Sequence, residues 1–326
     1  MKPFTYVRPA SQQKVLAAIN EAGTKIIAGG TNLIDLMKRG VTSPDKLVDI
    51  NDLPLKEISV NTNGIKIGSL AINSETAEDK NVLKLQPLLS MALKAGASPQ
   101  LRNMATVGGN MMQRTRCSYF YDIAMPCNKR SPGTGCGALQ GSNRMHAIFG
   151  TSESCIAVHP SDMCVALAAL DATVTVAGKK GERTIPFTQF HRLPGMHPEL
   201  DSTLTKDELI LWVDVPVNNF AENVYYLKIR DRQSYAFALI SVATALEINN
   251  GTIKSARIAM GGVAHKPWRL HEAEAFLAGK PASEENFNAA AELSMKGAKG
   301  FGKNDFKLKM APNAILEALK KAAHLA

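Results

Sequence analysis

The chain has 326 residues, 45% hydrophobic and 21% charged, a balance that sustains a sizeable core and two or three packed units. No run of about eighteen apolar residues is available to span a membrane, and Met1-Lys2-Pro3-Phe4-Thr5-Tyr6 lacks the apolar core of a secretory signal, so a soluble protein is expected. The formal charge of +9 raises nucleic-acid binding, but the basic residues are scattered: the densest group, Lys296, Lys299, Lys303, Lys307, Lys309 and Lys320-Lys321, reads as a solvated face, with docking of an acidic protein partner as the alternative.

A helix is expected over Gln12–Ala22. From Lys25 to Met37 a short apolar run, the pair Gly29-Gly30 and then Leu33, Leu36 and Met37 at helical spacing predict strand, tight turn and helix. Lys46–Ile50 follows as a strand, so residues 1–52 form a small βαβ-like unit. Short strands follow over Ile58–Ile72 around a hairpin at Asn61-Thr62-Asn63-Gly64. A helix over Leu85–Ala95 leads to a second double glycine, Gly108-Gly109. From Arg114 to Glu153 periodicity disappears, and a loop of that length inside a domain needs an organising element.

Regular structure resumes at Pro160, with Ser161 and Asp162 capping a helix over Met163–Leu170, a strand at Ala172–Val176, and strands and loops to Pro216. The C-terminal part reads as a strand at Val224–Ile229, an apolar run at Leu239–Ile248, a hairpin turn at Asn249-Asn250-Gly251, a strand at Ser255–Met260, and helices near Glu284–Lys299 and Asn313–His324. The class is α+β. A domain of residues 1–220, divided near residue 52 and carrying a cysteine-rich insertion at 114–156, is followed by a smaller α+β domain at 221–326.

Gly29-Gly30 lets a ligand approach the backbone without a Cβ in the way, and the helix start beyond it offers unpaired N–H groups, with Thr31 and Asn32 adding polar side chains. Alone, the pair also fits an ordinary tight turn. The second loop, Ala105-Thr106-Val107-Gly108-Gly109-Asn110, repeats this chemistry, and two such cradles suit a ligand the size of a dinucleotide. The five cysteines lie within residues 117–164, with nine, eight and eighteen residues between successive members of Cys117, Cys127, Cys136 and Cys155. Four thiolates in a Gly/Pro-rich segment suit an iron–sulfur cluster; a structural zinc and unligated thiols remain open on spacing alone. Cys164 reads as a core residue, and His146 and His159, near the cysteines, as structural.

Ile26-Ile27-Ala28-Gly29-Gly30-Thr31-Asn32-Leu33 together with Ala105–Asn110 resembles the flavin subunit or domain of the xanthine dehydrogenase family. The resemblance continues through Ser161-Asp162, Glu208-Leu209-Ile210, Lys228 and Gly261-Gly262-Val263-Ala264 with Pro267 and Arg269. It implies a two-part FAD-binding domain of the kind shared with vanillyl-alcohol oxidase, plus a smaller α+β C-terminal domain. In that fold Ile26–Leu33 and Thr106, Gly108, Gly109 and Asn110 hold pyrophosphate and ribityl groups, with Asp162, Ile210 and Lys228 nearer the sugar chain and ring. Where some relatives set an aromatic residue against the flavin this chain has Gly96, a departure that puts NAD use in doubt.

The cysteine insertion is similar only to members with an additional four-iron cluster, the periplasmic aldehyde oxidoreductase medium subunits and, with different spacing, 4-hydroxybenzoyl-CoA reductase. That similarity implies a [4Fe-4S] cluster on Cys117, Cys127, Cys136 and Cys155. It also implies an electron-transfer role in a heterotrimer with a molybdenum-cofactor large subunit and a [2Fe-2S] small subunit, acting on aldehydes or aromatic heterocycles. No catalytic base is nominated in this chain. Location is expected to be cytoplasmic, or periplasmic by co-export with a signal-bearing partner. The competing readings are a non-enzymatic binding or scaffold protein, with zinc in the cysteine loop and the basic surface contacting nucleic acid, and a stand-alone flavin reductase.

Overall fold

Short apolar runs punctuated by glycine turns assemble into three sheets that share no strand in the computed structural model, which describes residues 1–325. The first sheet holds β1 (Thr5–Val7), β2 (Thr24–Ile27) and β3 (Lys46–Asp49) in the parallel order β1-β3-β2. The second holds β4 (Ile58–Asn61), β5 (Gly64–Gly68), β6 (Thr173–Gly178), β7 (Gly181–Pro186) and β8 (Leu209–Pro216), antiparallel in the order β4-β5-β8-β6-β7. The third is the antiparallel order β12-β11-β10-β9, built from β9 (Val224–Ile229), β10 (Ile240–Asn249), β11 (Thr252–Gly261) and β12 (Trp268–Arg269). The expected turn between β10 and β11 has positive φ at both Asn250 and Gly251, the geometry whose twist matches its flanking strands.

The helix Asp162–Ala169 is buried on every side, as a helix apolar all round its circumference must be. It packs on the helix Pro87–Ala95 and on β10 and β11, so one core joins the second and third sheets. Ser161 caps it, its Oγ accepting from the Cys164 amide at 3.1 Å.

Several helix ends differ from the sequence reading. The first helix stops at Ala18, short of Gly23, which takes a φ of +71°. The helix expected over Leu85–Ala95 is two helices, because Pro87 has no amide to continue the first and instead opens the second, Pro87–Ala95. The helix at Glu284 ends at Leu293, and the last helix begins early, at Phe306, running to Ala322 with Pro312 inside it. The solvated-lysine reading fails at Lys307. It is fully buried, its ammonium donates to the carbonyls of His146 (3.0 Å) and Gly262 (2.7 Å), and burial pushes its pKa down to about 7. Lys296 does face solvent, paired with Glu272, whereas Lys320 is half-buried and paired with Glu284. Among the described residues no helix is long and apolar enough to cross a membrane.

Candidate functional site

The two glycine loops lie against each other. Gly29 follows β2, and a Cβ placed on it would stand 1.9 Å from the Met104 carbonyl oxygen, immediately before the second loop. Any side chain there must push the loops apart. Gly30 adopts a φ of +70° and leads into the helix Leu33–Lys38. The amides of Gly29, Gly30, Thr31 and Asn32 donate to no group among the described residues. The helix is a turn and a half long, so these free N–H groups rather than a long macrodipole are what the turn offers an anion. Ile26 and Ile27 lie in β2, and Ala28 anchors the turn by accepting from Asn51 Nδ2 at 3.1 Å.

The second loop is built differently. Thr106 caps the short helix Val107–Met111 by accepting from Gly109, while the amides of Val107 and Gly108 donate to Ala71 and Ser69. The amides of Val107, Gly108 and Gly109 are thus committed within the protein, and Asn110 offers its side chain. Asn110 Oδ1 accepts from Ser161 Oγ at 2.7 Å, which ties this loop to the next nominated residue, Asp162.

Asp162 forms a buried ion pair with Lys228 (2.8 Å) and accepts from the Tyr226 hydroxyl at 2.9 Å. Burial, then the adjacent carboxylate, hold the Tyr226 phenol protonated. The Lys228 ammonium also donates to the Ala95 carbonyl at 2.9 Å, so its charge is paired within the fold. Gly96 is beside them: a Cβ on it would touch Asp162 Oδ2 at 3.4 Å. Ile210 stands apart, packed in the core opposite Val176.

A cavity of about 220 Å³ is lined by Arg116, Cys117, His146, Ser161, Asp162 and Phe237 among others; of the nominated flavin residues, Asp162 alone reaches it. A second, smaller void adjoins it. All four nominated cysteines, Cys117, Cys127, Cys136 and Cys155, line that void, whereas Cys164 lies in the core. None is in a disulfide. Cys127 and Cys136 face each other across a β-bridge. Burial pushes the Cys117 thiol up to about 12 and the Cys155 thiol to about 11, so a bound cation must offset that cost to hold them as thiolates. No three of these thiols lie within 4.8 Å of one another. Tetrahedral zinc with four thiolates needs sulfurs about 3.8 Å apart. The four sulfurs thus converge on one void without standing at the spacing of a single tetrahedral ion.

Side chains that spacing could not reveal organise the insertion. Arg130 donates to the carbonyls of Tyr119 (2.7 Å), Phe120 (2.8 Å) and Met125, and Asn128 Oδ1 accepts from the amides of Gly133 and Gly135. Lys129, with its side chain 1% exposed, and Arg114 both pair with Asp201, at 2.5 and 2.6 Å. Arg114 also donates its amide to Asn32 Oδ1, linking the insertion to the first glycine loop.

Nearby, His159, His191 and His265 are buried, each with a ring nitrogen lacking a partner among the described residues. Burial pushes the last two down to about 4. The ligand atoms of His159, Cys164 and His191 lie within 4.8 Å of one another, and burial first, then the neighbouring His191, push the His159 pKa well down. Asp201 lies 72 residues from Lys129, and no local pattern announces it.

Residues 2–218 match the family model for the FAD binding domain in molybdopterin dehydrogenase, and residues 225–322 the CO dehydrogenase flavoprotein C-terminal domain. The chain is 45% identical to the aldehyde oxidoreductase FAD-binding subunit PaoB of Escherichia coli, with 99% of each covered. It is 26% identical to the carbon monoxide dehydrogenase medium chain of Hydrogenophaga pseudoflava, covering 98% of this chain and 96% of that one. A solved structure of carbon monoxide dehydrogenase from that organism, lacking the Mo-pyranopterin moiety, superimposes with a TM-score of 0.78 at 25% identity over the full length of both chains. The chain therefore belongs to the FAD-binding medium subunits of the molybdenum hydroxylase family and is an oxidoreductase subunit.

Proposed function

We propose that this chain carries electrons through FAD within a molybdenum-dependent aldehyde oxidoreductase, receiving them from a molybdenum-cofactor large subunit by way of a [2Fe-2S] small subunit. We further propose that it holds a [4Fe-4S] cluster of its own on Cys117, Cys127, Cys136 and Cys155. The carrying observation is the convergence of these four cysteines on one void that adjoins the cavity reaching Asp162. Full-length similarity to an aldehyde oxidoreductase FAD-binding subunit supports the substrate class and a place in a multi-subunit complex. The three separate sheets support a flavin-binding part at 1–220 and a C-terminal domain at 221–326.

FAD, when bound, exchanges one or two electrons with its partners. The free amides of Gly29, Gly30, Thr31 and Asn32 would take its pyrophosphate, flanked by Ile26, Ile27, Ala28 and Leu33. Thr106, Gly108, Gly109 and Asn110 would shape the opposite wall, and Asp162 with its partner Lys228 the end toward the ring, with Ile210 packed behind. These groups bind and orient; none is asked to move a substrate proton.

Anaerobically purified protein is expected to contain one FAD, four irons and four sulfides per chain, and Cys127→Ser to lose the iron while keeping most of the flavin. A protein with flavin but a single zinc would overturn the cluster. One without flavin would overturn the whole reading. Reduction by aldehyde only when the partner subunits are present separates this function from a stand-alone flavin reductase, and secretion of the complex with a signal-bearing partner tests a periplasmic location.

A further inference from the structure

His146 sits on the wall between the two cavities and lines both. Its Nε2 lies 3.1 Å from Cys117 Sγ, while its Nδ1 is buried with no partner among the described residues. The main chain that carries the ring is held from both sides. Its amide donates to the Asn143 carbonyl, and its carbonyl accepts from Lys307 Nζ (3.0 Å) and Asn304 Nδ2 (3.3 Å), both from fully buried side chains. A position fixed from so many sides is a preorganised one.

We propose that His146 is a positioning residue that sets the reduction potential of the centre held by Cys117, through an N–H···S hydrogen bond from Nε2. This rests on the cluster reading above. A ligating Cys117 is a thiolate with no proton to give, so the bond requires the imidazole proton on Nε2. The proton remains there in both oxidation states, and only one electron enters or leaves the centre. Sulfur carries more negative charge after reduction, so the bond favours the reduced form and raises the potential. Because His146 also borders the cavity that reaches Asp162, it lies between the cysteine site and the flavin-ring end.

The test is an EPR-monitored redox titration of the anaerobically purified full chain, wild type and variants, with iron and flavin measured on each sample. His146→Leu removes the donor and keeps the site dry. The expected result is about a tenfold lower reduced-to-oxidised ratio at fixed ambient potential, equivalent to roughly 59 mV for a one-electron couple. His146→Gln, whose amide nitrogen reaches the same place, is expected to restore most of it. Wild-type protein without four irons sinks the cluster reading and this inference with it. Full iron and an unchanged potential in His146→Leu overturn the inference alone. If His146→Leu loses its iron, His146→Gln decides: a wild-type potential supports the N–H donor, and a potential displaced downward overturns it.

Discussion

Acidification tests the buried histidines directly. His191 donates from Nε2 to the Met111 carbonyl and His265 from Nδ1 to the Arg192 carbonyl, both at 2.9 Å, which fixes the tautomer of each neutral ring. Burial lowers both from 6.5 to about 4. The unfolded chain takes up their protons near its ordinary value and the folded chain does not, so the unfolded state gains as pH falls. Their contribution is complete above about pH 7 and is lost between about 6.5 and 4. At about pH 5 each histidine removes roughly 2 kcal/mol and the pair roughly 4. Urea denaturation at about pH 7.5 and pH 5 measures the difference, in a window above the range where most carboxylates titrate. His265→Asn keeps a donor near the Nδ1 position but cannot titrate, and should reduce the acid-induced loss by that histidine's own share, roughly 2 kcal/mol. Equal stability at the two pH values, or an undiminished loss in His265→Asn, refutes the reasoning.

Asp201→Asn leaves the Lys129 ammonium buried without its carboxylate and should destabilise by about 3 kcal/mol, the lower end for a broken buried pair because Asp201 and Arg114 are each about a quarter exposed; thermal denaturation checks it. Gly29→Ala forces the two glycine loops apart at the Met104 carbonyl. It should cost about 1–3 kcal/mol and lower the flavin-to-protein ratio, and normal flavin content would contradict the cradle. Lys228→Met strands the Asp162 carboxylate and should cost about 3–5 kcal/mol. Adding Asp162→Asn should recover part of that, which a double-mutant cycle of denaturation midpoints measures.

The periodic segments of the fold were legible in the sequence. The strand-turn-helix around Gly29, the capped helix at Asp162 and the Asn250-Gly251 hairpin all carry local signals, and each forms where expected. Helix ends were less legible because they are decided by single residues such as Pro87 and Gly23. Within the site, the cysteines and glycines announce themselves by type and spacing. Lys307, Asp201 and His146 do not, since their roles come from partners that folding brings across long separations. A buried lysine and a solvated one look alike until the carbonyls around it are known.

The grip of Asn304 and Lys307 on His146 spans about half the chain. A wall built that way is absent while the protein is still leaving the ribosome: the cysteines emerge long before the residues that close over them. Until residue 307 has been synthesised and docked, the insertion lacks that support, and its thiols are open to oxidation or to capture of a wrong metal. On the proposed cluster reading, this long-range contact places chain completion ahead of stable loading of the cysteines.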